Sequence, residues 1–406
     1  MKRLLPFVIA IFLIQQTSAQ FRFDNKLYQT IFWDDLCKTL SQQKDYLLLD
    51  VRSPGEFADS STMASMNIGH LKGAINIDVR QLPDSLDKLE PYKNKTIYVY
   101  CSHSQRSRRA SKLLSEKGFK NVVNINGGMT VLNLQKNSNI PCIQSVYQSN
   151  VSYALVSPAE MRSILVKDKN VVILDVRKDS SYKSIASIEL INAYGRFRNS
   201  VNIPFENLSS SLSQVPQNKK IIVVDDFGNE SAKAAILLSE KGYKNISVLF
   251  NGLDEWASTD PAELSGKDQF IERKAAYGLI TPEEFSKMTA QKDLLVLDVR
   301  ADSDYHNIAK NYWRNIGNVK QAVNIPYTLL SDKMDQIEQY KNKPVVVYAF
   351  STSPESFSSA KLLTDKGFTK VYVLMGGIFN IRWRAGNIKD HAYLNDLVTN
   401  IPADNL

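Results

Sequence analysis

The chemistry in this chain is concentrated in one stretch, Cys101-Ser102-His103-Ser104-Gln105-Arg106-Ser107. The run before it, Ile97 to Tyr100, is apolar, β-branched and aromatic, which predicts a buried strand. After it, Ala110, Leu113 and Leu114 recur at helical spacing with Arg108, Arg109 and Lys112 on the other side, which predicts an amphipathic helix. Cys101 therefore stands in a tight turn at the mouth of a helix. The unbonded N–H groups there, with the positive end of the macrodipole, stabilise an anion. The same field favours thiolate over thiol, and thiolate is the nucleophile. Arg106 is a permanent cation with several donors, suited to holding an anionic group against that sulfur. A lone cysteine at a strand end is more often a small buried hydrophobe; the Cys-x-x-x-x-Arg spacing is what favours a reactive one.

The elements that must position this turn recur three times. Asp-Val-Arg ends an apolar run at 50–52, 175–177 and 298–300. Such continuous runs suit parallel strands buried on both faces. Upstream, Trp33-Asp34-Asp35-Leu36, Ser157-Pro158 and Thr281-Pro282 begin helices, the last two as N-cap followed by Pro at the first helical position. Downstream come Ala74-Ile75-Asn76-Ile77, Val201-Asn202-Ile203-Pro204 and Val323-Asn324-Ile325-Pro326. The second apolar strand and its helix follow, closing at Gly118, Gly242 and Gly367, each after a Lys, as helix C-termini do. Strands alternating with helices imply an α/β fold, a small doubly wound, mostly parallel sheet with helices on both faces. Repeats this long are whole domains, not solenoid units. The expected organisation is a first domain over 20–140, a second over 141–262, a third over 263–386 and a C-terminal tail over 387–406. The tail packs back on the last domain, and polar, loop-like linkers run over 137–152 and 258–274.

The 406 residues are too many for one core, and their composition, 43% hydrophobic and 23% charged, is that of a globular chain. The net charge of +8 is mild for this length and no Lys/Arg run accompanies it, so nucleic acid is not an expected partner. Lys2 and Arg3 precede an apolar run, Leu4 to Ile14, and then Thr17-Ser18-Ala19. That run is too short to span a bilayer and reads as a secretory signal peptide over 1–19, cut after Ala19, with export to the periplasm or beyond. The mature chain has no expected membrane span. Of three cysteines, Cys37 lies in a helix-like apolar stretch and Cys142 in a linker. They either pair with each other or stay as buried thiols, and Cys101 is the reactive candidate.

The motifs resemble the rhodanese-like sulfurtransferase family, in three tandem copies covering nearly the whole mature chain. The first copy carries the fullest set: Asp50-Val51-Arg52 with Glu56-Phe57, Gly69-His70-Leu71-Lys72-Gly73-Ala74, the Cys101 to Arg106 loop, and Asn126-Gly127-Gly128. The resemblance implies that Cys101 takes a sulfane sulfur from a small anionic donor such as thiosulfate, becomes a persulfide, and passes the sulfur to a thiol or cyanide-like acceptor. It implies an amide cradle from Ser102, His103, Ser104, Gln105 and Ser107, with Arg106 steadying the donor. Asp50, Arg52, Glu56 and His70 are expected to be structural, Arg52 pairing with Glu56 or a neighbouring carboxylate and His70 hydrogen-bonding a loop. His103 either assists proton transfer or is exposed without a role. Four residues separate Cys101 from Arg106, as in the sulfurtransferases, whereas related phosphatases and arsenate reductases use a loop one residue longer. Ser104 departs from the Gly common at that position, which strains a turn needing positive φ.

The other copies have lost the chemistry. Asp225 and Glu230 stand where Cys101 and Arg106 stand in the first, and Ala349 takes the Cys position in the third, whose longer loop has no cation. A carboxylate carries no sulfane sulfur and repels an anionic donor. Domains 2 and 3 are thus expected to shape the site or bind a protein partner. No cofactor and no metal is implied. Two other readings stand beside the enzyme: a non-catalytic scaffold in which Cys101 is vestigial, and an envelope thiol-redox protein.

Overall fold

A computed structural model describes residues 27–43, 45–135 and 142–403. The expected leader over 1–19 lies outside them. The first domain runs β1 (Gln29–Ile31), α1 (Trp33–Gln42), β2 (Tyr46–Asp50), α2 (Pro54–Phe57), β3 (His70–Leu71), β4 (Ile75–Asn76), β5 (Thr96–Tyr100), α3 (Gln105–Glu116), β6 (Asn121–Ile125) and α4 (Gly128–Gln135). Its sheet has the order β1-β6-β5-β2-β4, with every neighbouring pair parallel. β5 is the central strand, and Ile97 to Tyr100 are all buried, because helices cover both faces. Cys101 follows directly at its carboxyl end, the edge of a parallel sheet where ligands bind. The second and third domains repeat this five-stranded parallel sheet around the central strands Ile221–Val224 and Pro344–Tyr348.

Asp-Val-Arg is a framework in all three copies. The Arg52 guanidinium donates to both Asp50 oxygens and to the Gly69 carbonyl at 2.7 Å, with neither side chain exposed. Arg177 does the same with Asp175 and Gly195, and Arg300 with Asp298 and Gly317. The Asn of the following strand completes the tie: Asn76 Nδ2 donates to the carbonyls of Asp50 and Arg52, as Asn202 and Asn324 do in their domains. Of the two carboxylate partners expected for Arg52, the neighbouring Asp50 is the one used.

Two expectations are corrected. The linkers are not simply loop-like, since each domain is clipped by an antiparallel strand from the chain that leaves it. β7 (Tyr147–Gln148) pairs with β3, and Ile271–Glu272 pairs with Arg196–Phe197. The tail does the same through Val398–Thr399 on Asn318–Val319, so it does pack back on the third domain. A two-residue strand has too few side chains to print a period in the sequence. Secondly, Arg108 is not on a solvated face but buried, 6% exposed, against the third domain. Cys37 and Cys142 form a disulfide that ties α1 to the segment after α4, which decides between the two states left open.

Candidate active site

The Cys101 loop is held by its own backbone. The Cys101 and Ser102 carbonyls accept from the N–H groups of Met129 and Thr130, at 2.8 and 3.0 Å, in the first turn of α4. That contact needs Gly128, whose φ is +55° and whose added Cβ would sit 2.3 Å from the Cys101 carbonyl oxygen. Ser104 takes φ +75° at the start of α3, the left-handed conformation for which Gly is favoured. Its fully buried hydroxyl compensates by accepting from the Gly127 N–H at 2.5 Å, while its carbonyl accepts from Ser107 Oγ at 3.1 Å.

Cys101 itself is 1% exposed. The guanidinium groups of Arg106 and Arg108 are carried by α3, the helix that follows it. Arg106 is clamped by Glu56: Nη1 donates to Oε2 at 2.6 Å and Nη2 to Oε1 at 2.7 Å, with a further bond to Ser102 Oγ at 2.8 Å. Glu56 is fixed in turn by the Ser53 backbone N–H and hydroxyl, which cap α2. Burial alone would raise its pKa, but the Arg106 hydrogen bonds and charge, helped by Ser53, bring it down to about 2. Glu56 is thus a support for the active loop. The fork geometry of the pair orients the guanidinium from 50 residues away.

His103 joins the loop through Nδ1 to Ser102 Oγ at 2.8 Å and opens to solvent from a cleft between domains. The surrounding protein and the Arg106 charge hold its pKa well below the usual imidazole range. Gln105 is exposed beside it. Asp50, Arg52 and His70 lie in the framework behind the loop. His70 is buried against Phe57, with the two ring centroids 4.4 Å apart.

The first domain does not build the loop alone. The third domain's last helix, Gly377–Asn387, lies on it: Trp383 Nε1 donates to the His103 carbonyl at 3.2 Å, and Asn387 Oδ1 accepts from the Gly127 N–H and from Arg108. Arg108 also donates to Asn126 Oδ1 and the Gly386 carbonyl. Sequence reasoning missed Trp383, Asn387 and the role of Arg108. An Arg one turn into an amphipathic helix and a Trp near the chain's end carry no local sign that they will meet.

The second domain shows what such a loop accommodates. Its turn has the same length, with Gly228 at φ +83° where Ser104 has +75°. At the cysteine position the buried Asp225 carboxylate accepts from the N–H groups of Gly228 at 2.6 Å, Glu230 at 2.7 Å and Ser231 at 3.3 Å, and from Ser231 Oγ at 2.9 Å. A ring of amides is aimed at the carboxylate oxygens two bonds beyond Cβ; burial raises the Asp225 pKa and these hydrogen bonds oppose it. The third loop places a buried Ala349 there and begins its helix at Pro354. Among the described residues no group of side chains has the composition of a metal site, and no helix is long and apolar enough to cross a membrane.

A family model described as the rhodanese-like domain matches residues 34–134, 157–259 and 281–382. The thiosulfate sulfurtransferase PspE of Escherichia coli is 33% identical over 79 residues, 20% of this chain and 67% of its own. The tRNA uridine(34) hydroxylase of Pelagibacter ubique is 40% identical over 101 residues, 24% of this chain; the match spans 29% of that relative's length. Among solved structures, a thiosulfate sulfurtransferase from Pseudomonas aeruginosa aligns over 85% of this chain and 66% of its own at 16% identity, with a TM-score of 0.24.

Proposed function

Since the chain belongs to the rhodanese-like domain family, with three copies of that domain, we propose that it is a sulfurtransferase whose single working site is Cys101. The observation that carries this reading is the Asp225 carboxylate. Its Oδ atoms lie two bonds beyond Cβ, the reach of the outer sulfur of a cysteine persulfide. At that point they collect the amides of Gly228, Glu230 and Ser231. The equivalent positions around Cys101 are Ser104, Arg106 and Ser107, in a loop of equal length and handedness. Such preset donors stabilise an anion as it forms, without reorganisation.

In this mechanism the Cys101 thiolate attacks the outer sulfur of a sulfane donor such as thiosulfate. A new S–S bond forms, the donor's S–S bond breaks, and sulfite leaves with the electron pair. The outer sulfur of the Cys101 persulfide, anionic, rests among the loop amides. An acceptor thiolate or cyanide then attacks that sulfur, and the bonding pair returns to Cys101 as thiolate. Arg106, its side chain one-quarter exposed and aligned by Glu56, attracts the anionic donor to the rim of the loop. Mass spectrometry after thiosulfate treatment tests this: a gain of one sulfur atom mapping to Cys101, absent in Cys101→Ser. No adduct from thiosulfate or any other sulfane donor would leave a scaffold instead.

A redox role is the weaker reading, because Cys37 and Cys142 are bonded to each other and no other cysteine remains to resolve Cys101. The same disulfide, with the leader pattern, supports export to an oxidising compartment. Sequencing the N-terminus of the protein from a fractionated native host tests it, a start at Gln20 being the expected result.

A further inference from the structure

A cleft of about 330 Å³ opens where the three domains meet, and its walls are not alike. One wall is the active loop itself, through His103 and Gln105; the wall from the third domain carries Phe379 and Trp383. The second domain supplies Asp254 and Glu255, from its helix Gly252–Ser258, which follows the strand Ile246–Leu249. Asp254 accepts from the Tyr194 hydroxyl at 2.8 Å and Glu255 from Asn251 Nδ2 at 3.0 Å. Among the described residues neither enters an ion pair. Two guanidinium groups also line the cleft, and both are engaged within the protein: Arg384, whose charge reaches Glu255, is bound to Glu283, and Arg108 donates to Asn126, Gly386 and Asn387. Burial raises the pKa of both, and for Glu255 the neighbouring Asp254 charge adds to it against the pull of Asn251 and Arg384, to about 7.

We infer that this cleft seats the sulfur acceptor, and that the acceptor is a small molecule bearing a cationic group. The inference rests on the sulfurtransferase reading of Cys101 and adds the substrate class. The volume is that of a small-molecule pocket, too small for a folded partner. Aromatic faces and carboxylates both attract a cation, the more so where water is partly excluded. With the cation held between Trp383, Phe379 and the two carboxylates, the rest of the acceptor faces the loop that carries the sulfur. For a thiol acceptor the step balances as written above: its thiolate attacks the outer sulfur, the enzyme's S–S bond breaks, and the product is a free persulfide.

The test uses the full-length protein and two simple thiols of opposite charge, cysteamine and 3-mercaptopropionate, at pH 8. The protein is first loaded from thiosulfate, and loading is read as the Cys101 adduct. The two thiols differ in intrinsic reactivity, so the quantity compared is the ratio of their kcat/KM values in each variant. That ratio is internal to one preparation and does not depend on how much of it is folded. The expected result is that Asp254→Asn with Glu255→Gln lowers the cysteamine to 3-mercaptopropionate ratio about tenfold, a change of about 1.4 kcal/mol in relative transition-state binding. An unchanged ratio in a protein that loads normally would overturn the inference and leave the sulfurtransferase reading standing. Failure of the wild type to load would overturn both.

Discussion

Asp225 occupies in the second domain the place that Cys101 occupies in the first, and its carboxylate accepts from the amides of Gly228, Glu230 and Ser231. The two loops share length and handedness, so one displays the anion-binding capacity of the other. On the proposed reading, a carboxylate in the nucleophile's place closes the second site while keeping the donors of its loop satisfied.

This relationship predicts opposite outcomes at the two positions. Cys101→Asp should fold with stability near wild type and lose all sulfur transfer, since its carboxylate finds donors. Asp225→Ala should leave buried N–H groups without an acceptor and cost on the order of 2–3 kcal/mol. Denaturant unfolding of both variants measures this; equal destabilisation of the two would contradict it.

Glu56 should give the fold an acid-sensitive component. Its folded pKa of about 2 lies below its ordinary value of 4.5, so the stability it contributes is complete above about pH 5 and is lost as pH falls toward 2. The difference corresponds to on the order of 3 kcal/mol. Glu56→Gln should therefore be less stable than wild type at pH 7 and nearly equal to it near pH 2. Its KM for thiosulfate should also rise, because Arg106 is no longer aligned.

Glu255 should show the reverse sign. Its pKa is raised to about 7, so folding is penalised as pH rises from about 4.5 to 7 and the penalty persists above. Glu255→Gln is expected to raise Tm at pH 8 and to leave it unchanged at pH 4. A lower Tm at pH 8 would mean that the charge is compensated by a group within the protein.

At Ser104 two terms compete. Ser104→Ala keeps the left-handed backbone, which costs about 1–2 kcal/mol in a residue with Cβ, and removes the acceptor of the Gly127 N–H. Ser104→Gly relieves the strain while losing the same bond. Alanine should thus be the more damaging change, by about 1 kcal/mol in unfolding measurements. At Gly128 no such exchange exists. Gly128→Ala drives a Cβ into the Cys101 carbonyl and should abolish transfer.

The Cys37–Cys142 bond closes a loop spanning 105 residues of sequence. Constraining an unfolded loop of that size contributes about 4–5 kcal/mol in the chain-entropy model. Cys37→Ser with Cys142→Ser should lower Tm markedly while leaving the Cys101 adduct available in the folded fraction, and reduction of the wild type should lower Tm likewise. A Tm unmoved by dithiothreitol would refute the contribution.

The sequence alone determined the threefold unit, the parallel α/β class, the strand-turn-helix around Cys101 and the loss of the nucleophile in two copies. All of these are written in local periodicity and in residue identity at fixed spacing, which act over a few residues. The family resemblance also marked Ser104 as a strained position, since Gly is common there in the family. Tertiary structure decided the rest. Which carboxylate aligns Arg106 is settled by Glu56, 50 residues away, and which groups bury Arg108 by Gly386 and Asn387, more than 270 residues away. Trp383 on His103 and the carboxylates facing the cleft belong to the same class. Such pairs are chosen by how finished domains pack, and an amphipathic pattern states that a face is polar without naming what it will meet.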